Sequence, residues 1–201
     1  SENNTFLKKR FLFQENNGVN VIEMSKLESK EYLNQIDSLK QWELNFLKEN
    51  QNISNNFLNI EKKNSHYKFL QALERYPLYH EFYAKKEAVY DESFMSPLNS
   101  IDYTNQDDYI LFPDFKNLVM SYYQNKFNKS DNLKEDLRKL NLSKSTVIKR
   151  DLVSQGVYLL SAGNEKNKDL YKTLIDLAKE FESTGIDSLT ISKLTNKFNV
   201  L

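Results

Sequence analysis

Residue types that would point to particular chemistry are missing or scarce in this chain of 201 residues. It contains no cysteine, which excludes disulfides, thiolate metal sites and thiol catalysis within these residues. Only four residues are glycine, far below average usage. So small a supply argues against glycine-lined phosphate loops and against turn-rich β-folds. The composition therefore predicts a mostly helical globular protein and by itself says nothing of what the protein does.

Charges of the two signs balance, and long apolar runs are absent. The 28 basic and 28 acidic residues leave no basic excess of the kind that binds nucleic acid or anionic membranes through the overall field. No run of about 18 apolar residues occurs, so the sequence predicts no transmembrane segment, and no apolar leader is present. Because the chain begins at Ser1, we expect a processed product or a piece of a longer protein.

Helical periodicity extends over most of the chain. Residues 29–50 contain no glycine or proline, and their apolar positions recur at spacings of three and four. Ser54 is a predicted N-cap, and Pro113 suits the first turn of another helix. Pro77 disfavours helical geometry at the preceding residue and predicts an end or a kink there. The sequence thus predicts an all-α fold, an irregular multi-helix bundle of six to eight helices.

The beginning of the chain has a different pattern. A tight turn is favoured at residues 16–18 (NNG), and Val19, Val21 and Ile22 are strand-like. Residues 1–24 are therefore predicted to form a short hairpin or a linker. Residues 25–201 are predicted to form one helical domain, with a sub-boundary near 128–143 as an open alternative.

No catalytic or cofactor-binding constellation is recognisable. The sequence matches no phosphate loop, dinucleotide fingerprint, zinc-ligand spacing or nucleophile elbow, so we expect no catalytic residue, no cofactor, no metal and no enzyme. Glu43, Glu61 and Glu74 lie near otherwise buried helical faces, but the Glu-x-x-His pairs of a di-metal bundle are lacking. His66 is interpreted as a hydrogen-bonded core residue. His80 is interpreted as a packing residue, with a general base among tyrosines as the alternative.

Aromatic residues are abundant, with 12 Tyr and 13 Phe in the chain. Aromatic stripes at helical spacing are usually core, yet the polar tip of Tyr also suits an interaction surface. Both interpretations stay open for any one residue. The candidate interface residues are Trp42, Tyr76, Pro77, Tyr79, His80 and Tyr83.

A family resemblance is carried by four stretches of aromatic, proline and asparagine positions. They are 46–50 (FLKEN), 54–57 (SNNF), 76–80 (YPLYH) and 111–123 (LFPDFKNLVMSYY). Over residues 40–125 the chain resembles the helical region that precedes the thioredoxin-like domain in TlpA-like thiol-disulfide reductases of Bacteroidetes. The later helices resemble it only in length and pattern.

The resemblance implies a non-catalytic helical module of a thiol-disulfide protein of the cell envelope or periplasm. Such a module positions a downstream thioredoxin-like domain or docks its partner, and the Cys-x-x-Cys pair of that domain would lie beyond Leu201. The expected partners are that domain or another protein, with no nucleic acid, and the oligomeric state stays open. One alternative is a free-standing helical protein that binds a peptide or small ligand in a Tyr-rich groove, and another is an enzyme that uses His80.

Overall fold

The chain is all-helical in the part that a computed structural model describes, which comprises residues 2–16, 20–49, 54–129, 133–161 and 188–200 and positions 172, 175, 176, 178 and 179. The described residues contain ten α-helices with defined bounds, one 3-10 helix and no strand, and positions 172, 175, 176, 178 and 179 are also helical. The helices are α1 (Glu2–Asn16), α2 (Val21–Ser25), α3 (Ser29–Glu49), α4 (Asn55–Ala84), α5 (Glu92–Met95), the 3-10 helix Ser96–Leu98, α6 (Gln106–Leu111), α7 (Pro113–Lys129), α8 (Leu133–Leu142), α9 (Thr146–Ser161) and α10 (Ser188–Val200). The all-α prediction is confirmed, and the number of helices exceeds the six to eight expected.

The chain divides into two compact units. The first comprises Ser1–Ile101 with Phe112–Ser121, and the second comprises Asp102–Leu111 with Tyr122–Leu201. These two compact units need not be domains that fold independently. The predicted division into a segment 1–24 and a helical domain 25–201 therefore stays a prediction.

Helices α1 and α2 occupy the segment for which a hairpin or linker was predicted. Phe6 is buried and packs against Phe46 and Phe57, with ring centroids 5.2 and 5.7 Å apart. The Asn20 side chain caps α2 by accepting hydrogen bonds from the next backbone amides, including that of Ile22 at 3.1 Å. Packing and a polar cap therefore outweigh the weak strand preference of this short segment.

Helix α4 begins at the predicted cap. The Ser54 Oγ accepts a hydrogen bond from the backbone N–H of Phe57 at 3.3 Å, and Ser54 itself has extended backbone geometry. We expect Ser54→Ala to lower the free energy of unfolding by about 1 kcal/mol, because the N–H loses its acceptor. Urea denaturation followed by the fluorescence of the single tryptophan measures this loss. Ser54→Asp should retain the stability, and equal losses in both variants would contradict a capping role.

Pro77 lies inside α4, which continues from Asn55 to Ala84, so the helix does not end at Tyr76. The other predicted outcome, a kink at this position, stays a prediction. An interior proline removes one backbone hydrogen bond and clashes with the preceding turn, at a cost of about 3 kcal/mol. Tertiary packing offsets this cost, because Tyr76, Pro77 and His80 are all buried. The helix ends instead at Ala84, and the next residue, Lys85, has a φ of 58°, the left-handed geometry that terminates a helix.

The first unit is centred on the α3–α4 pair, with α2 packed on both helices. The helical spacing of Ile36 on α3 and of Leu70 and Leu73 on α4 predicts that they face inward, and all three are buried. The aromatic spacing of residues 78–90 predicts that Phe82 faces the core, but Phe82 is 61 % exposed, so this prediction is wrong. His66, interpreted as a core residue, is also exposed. Periodicity alone could not separate the buried face of so aromatic a helix from its solvent-exposed face.

The second unit packs α6 and α10 against α9. Ile148 and Leu152 are fully buried on α9, as their spacing predicts. The Gln106 side chain caps α9 by accepting from the backbone N–H of Val147 at 2.8 Å. The residue types of Gly163 and Gly185 predict helix ends, and that of Asp187 predicts a helix cap; all three lie outside the described residues.

Candidate functional site

A cavity of about 670 Å³ lies along the α3–α4 pair in the first unit. The two helices run antiparallel: the Tyr32 hydroxyl donates to the Ala72 carbonyl at 3.0 Å, and Ser65 Oγ donates to the carboxylate of Glu43 at 2.7 Å. Helix α2 contributes the remaining side through Val21 and neighbouring residues. The cavity therefore follows the seam between α3 and α4.

The walls of the cavity are mainly aromatic and aliphatic. Tyr32, Ile36 and Trp42 line it from α3, and Phe69 and Tyr79 line it from α4. The Tyr32 side chain is fixed by its hydrogen bond to α4 and by contact with Tyr76, whose ring centroid lies 4.5 Å away. Such a lining favours an apolar ligand body, because burying apolar area against these side chains removes it from water.

A network of paired charges surrounds the buried carboxylate of Glu43, which lines the cavity. Lys68 Nζ lies 2.7 Å from it and Arg10 3.5 Å from it, and Arg10 also pairs with the buried Glu61. Burial by itself would raise the pKa of Glu43, but the charges of Lys68 and Arg10 and the hydrogen bonds from Lys68 and Ser65 outweigh it and hold the pKa below its ordinary value. Glu43 is thus ionised, and the positive charges of Lys68 and Arg10 compensate its negative charge.

The guanidinium of Arg75 lies on the same cavity, nearer to Tyr79. Its Nε donates to Ser121 Oγ at 3.0 Å. With the Gln71 amide oriented so that its oxygen faces Arg75, that oxygen accepts from both terminal nitrogens at 2.9 and 3.2 Å. The guanidinium also lies 5.8 Å from the centre of the Tyr79 ring. These contacts hold the planar group in one orientation before any ligand arrives.

A second lysine contributes positive charge without an acidic partner. The Lys40 ammonium lies 4.1 Å from the centroid of the Phe69 ring, a cation–π contact. The described residues contain no ion pair for Lys40. Three cations and one carboxylate line the cavity, namely Lys40, Lys68, Arg75 and Glu43.

The six residues predicted as an interface occupy three environments. Trp42 and Tyr79 line the cavity, and Tyr83 is half-buried against Tyr79 and Phe82. The other three, Tyr76, Pro77 and His80, are buried. Their role as an interface stays a prediction, but the structure brings only the cavity-lining pair into a common site.

His80 is a fully buried residue in contact with Tyr76. Its Nδ1 lies 2.9 Å from the carbonyl oxygen of Ser25, which can only accept, so Nδ1 carries the proton. Its Nε2 is buried and has no hydrogen-bond partner in the described part of the chain. A general base must reach its substrate. A side chain with no exposed surface therefore favours the packing interpretation over the catalytic one.

Glu43, Glu61 and Glu74, which were predicted to lie near buried helical faces, are all buried. Lys40 and Arg75 line the cavity but were not predicted as site residues. The signal that would have pointed to Arg75 is its spacing on α4, since Lys68, Ala72, Arg75 and Tyr79 repeat every three or four residues and all line the cavity.

No group of three or more acidic or histidine side chains suited to a metal ion occurs among the described residues. None of the helices in the described ranges combines the length and hydropathy needed to cross a membrane. No protein-family model, curated protein or solved structure matches this chain. Function is therefore inferred from the cavity itself.

Proposed function

We propose that this chain is a non-catalytic binding module that holds a small, largely apolar ligand in the cavity of its first unit. The observation that carries the proposal is the cavity of about 670 Å³, which falls within the range of pockets that enclose small molecules. Its aromatic walls come from two helices that also hold each other through Tyr32 and Ala72. A pocket built on packed helices is largely formed before binding, so little free energy is spent on ordering it.

Filling the cavity tests this function. Ala72 lines the cavity, and Ala72→Phe places a ring in the space that a ligand would take. We expect this variant to weaken binding of decanol and decanoate at least tenfold, which corresponds to about 1.4 kcal/mol or more. Titrations below the aggregation limit of each probe, followed by the fluorescence of Trp42, measure the affinity, since Trp42 is the only tryptophan and lines the cavity.

Ala84→Phe is the matched control, because it makes the same change on the same helix outside the cavity lining. It should leave both affinities unchanged. If neither probe perturbs Trp42 in the unmodified chain, or if both alanine variants weaken binding equally, the proposed function is wrong.

We also propose a setting for this module within a longer protein. The resemblance to TlpA-like proteins supports a cell-envelope thiol-disulfide protein in which the helical module positions a thioredoxin-like domain or docks its partner. Tethering would raise the effective concentration of the redox domain near its partner. Sequencing the native reading frame tests this setting: a leader before Ser1 and a Cys-x-x-Cys pair beyond Leu201 are expected. A stop codon directly after Leu201 would contradict it.

A further inference from the structure

The guanidinium of Arg75 has unused hydrogen-bonding capacity at the cavity. Of the five N–H donors of an arginine, one is used by Ser121 and two by Gln71. The remaining two have no acceptor among the described residues, and no carboxylate there forms an ion pair with Arg75. A guanidinium that is held by neutral oxygens and keeps free donors matches the geometry with which arginine receives a carboxylate.

The other charged side chains of the cavity lining leave the Arg75 end without a competing carboxylate. Lys68 is neutralised by Glu43, which lies towards the opposite end of the seam. Lys40, two residues before Trp42 and so also towards that opposite end, rests on Phe69 and has no ion pair in the described ranges. The lining thus has an excess of positive charge, and its one carboxylate is already paired. An anionic group would meet attraction near Arg75 and little competition from Glu43.

From the Arg75 end the cavity continues along the seam between apolar side chains such as Ile36 and Phe69. On the antiparallel pair, Tyr32 is level with Ala72 near the Arg75 end, and Glu43 is level with Ser65 at the far end. Between these two contacts the backbone rises roughly 16 Å along α3, from Tyr32 to Glu43, and roughly 10 Å along α4, from Ala72 to Ser65. Trp42 lies at that far end. An extended aliphatic chain whose polar head is at Arg75 would therefore run along the seam towards Trp42.

We infer that the cavity binds a free amphipathic monocarboxylate, with its carboxylate on the Arg75 guanidinium and its aliphatic body along the α3–α4 seam towards Trp42. This inference rests on the proposed function and adds the chemical class and orientation of the ligand. Positive charge and fixed donors select the head group, and the apolar seam selects the chain.

Two probes that share a chain and differ in charge test the inference. Decanoate and decanol are titrated against the full chain while Trp42 fluorescence is recorded. We expect decanoate to bind at least tenfold more tightly than decanol, and added salt to weaken only decanoate. Arg75→Gln should weaken decanoate roughly 10- to 100-fold and leave decanol unchanged, because a charge-assisted contact contributes about that much. Butyrate should bind without changing the emission of Trp42, since its chain is too short to reach the far end.

Arg138→Gln is the matched control, because it removes the same charge from an exposed arginine of the second unit, paired with Glu135. It should leave decanoate affinity unchanged. If Arg75→Gln binds decanol as the unmodified chain does, its cavity is intact. If Arg75→Gln loses decanol binding, Arg75→Lys is used in its place. Arg75→Lys should then bind decanoate less tightly than the unmodified chain does. Equal affinity for the two probes, or equal effects of the Arg75 and Arg138 variants, would overturn the inference and leave the proposed function standing. Failure of both probes to bind would overturn the proposed function itself.

Discussion

Replacing Tyr76 with alanine is expected to lower the free energy of unfolding by about 4 kcal/mol, the cost of deleting a large aromatic side chain from a core. The side chain is only 1 % exposed. Its ring centroid lies 4.5 Å from that of Tyr32, 5.0 Å from that of Phe94 and 5.1 Å from that of His80. The alanine variant would leave a void where three helices meet, and the surrounding rings could fill it only in part.

The hydroxyl of Tyr76 contributes separately from the ring. It donates to the Leu27 carbonyl at 3.0 Å, and burial with the nearby Glu28 charge raises the pKa of Tyr76 to about 12, so the group stays a donor at neutral pH. Tyr76→Phe should therefore cost only about 1 kcal/mol. Urea denaturation followed by Trp42 fluorescence reports on the first unit, which contains that residue. Phe82→Ala removes an exposed ring, and a loss of stability as large as that of Tyr76→Ala would contradict the core role of Tyr76.

Removing the carboxylate of Glu43 is expected to cost about 3 kcal/mol, because the partners of a buried ion pair would lose their compensating charge. Ser65 Oγ would also lose its acceptor, and Arg10 would keep only Glu61. We place the effect at the lower end of the range because about half of the Lys68 side chain is exposed and can recover water. Urea denaturation of Glu43→Ala measures the loss. Glu135→Ala, which breaks an exposed ion pair with Arg138, should change stability little.

The same carboxylate predicts an acid-dependent loss of stability. The pKa of Glu43 is lowered in the folded protein, so its contribution is fully present above the ordinary value of 4.5 and is lost as the pH falls through the folded pKa. Glu43→Gln removes the titration while retaining an oxygen that can accept. The stability difference between the unmodified chain and Glu43→Gln should therefore shrink below about pH 4.5. A difference that stays constant down to acid unfolding would contradict the ionised state of Glu43.

Asp114 acts in the opposite direction in the same unit. Burial raises its pKa, and the nearby positive charges of Lys68 and Arg10 reduce the effect without reversing it. Its ionised form is disfavoured in the fold, so its contribution to stability increases as the pH falls through the raised pKa. Asp114 is present both in the unmodified chain and in Glu43→Gln. Its effect on the difference in stability between the two proteins is therefore reduced when they are compared at the same pH.

Local signals in the sequence were sufficient for the helical class and for several helix bounds. Residues 29–50 predicted α3 within one residue, because a run of strong helix formers without glycine or proline has few alternatives. Ser54 and Pro113 marked the starts of α4 and α7 for equally local reasons, a side-chain acceptor and a fixed φ. These helix bounds depend on residues within one helical turn of each other, so they can be predicted from the sequence alone.

The tertiary structure decided which helix faces are buried and that α4 continues past Pro77. At Pro77 the local cost of the ring is outweighed by contacts of Tyr76 and His80 with distant residues, which no local pattern contains. The cavity depends on the register of two antiparallel helices, which places Lys40 of α3 and Arg75 of α4 on one apolar seam. The sequence by itself determined the all-helical character, because that follows from local propensity. The candidate site required the structure, because it arises only when separate helices pack.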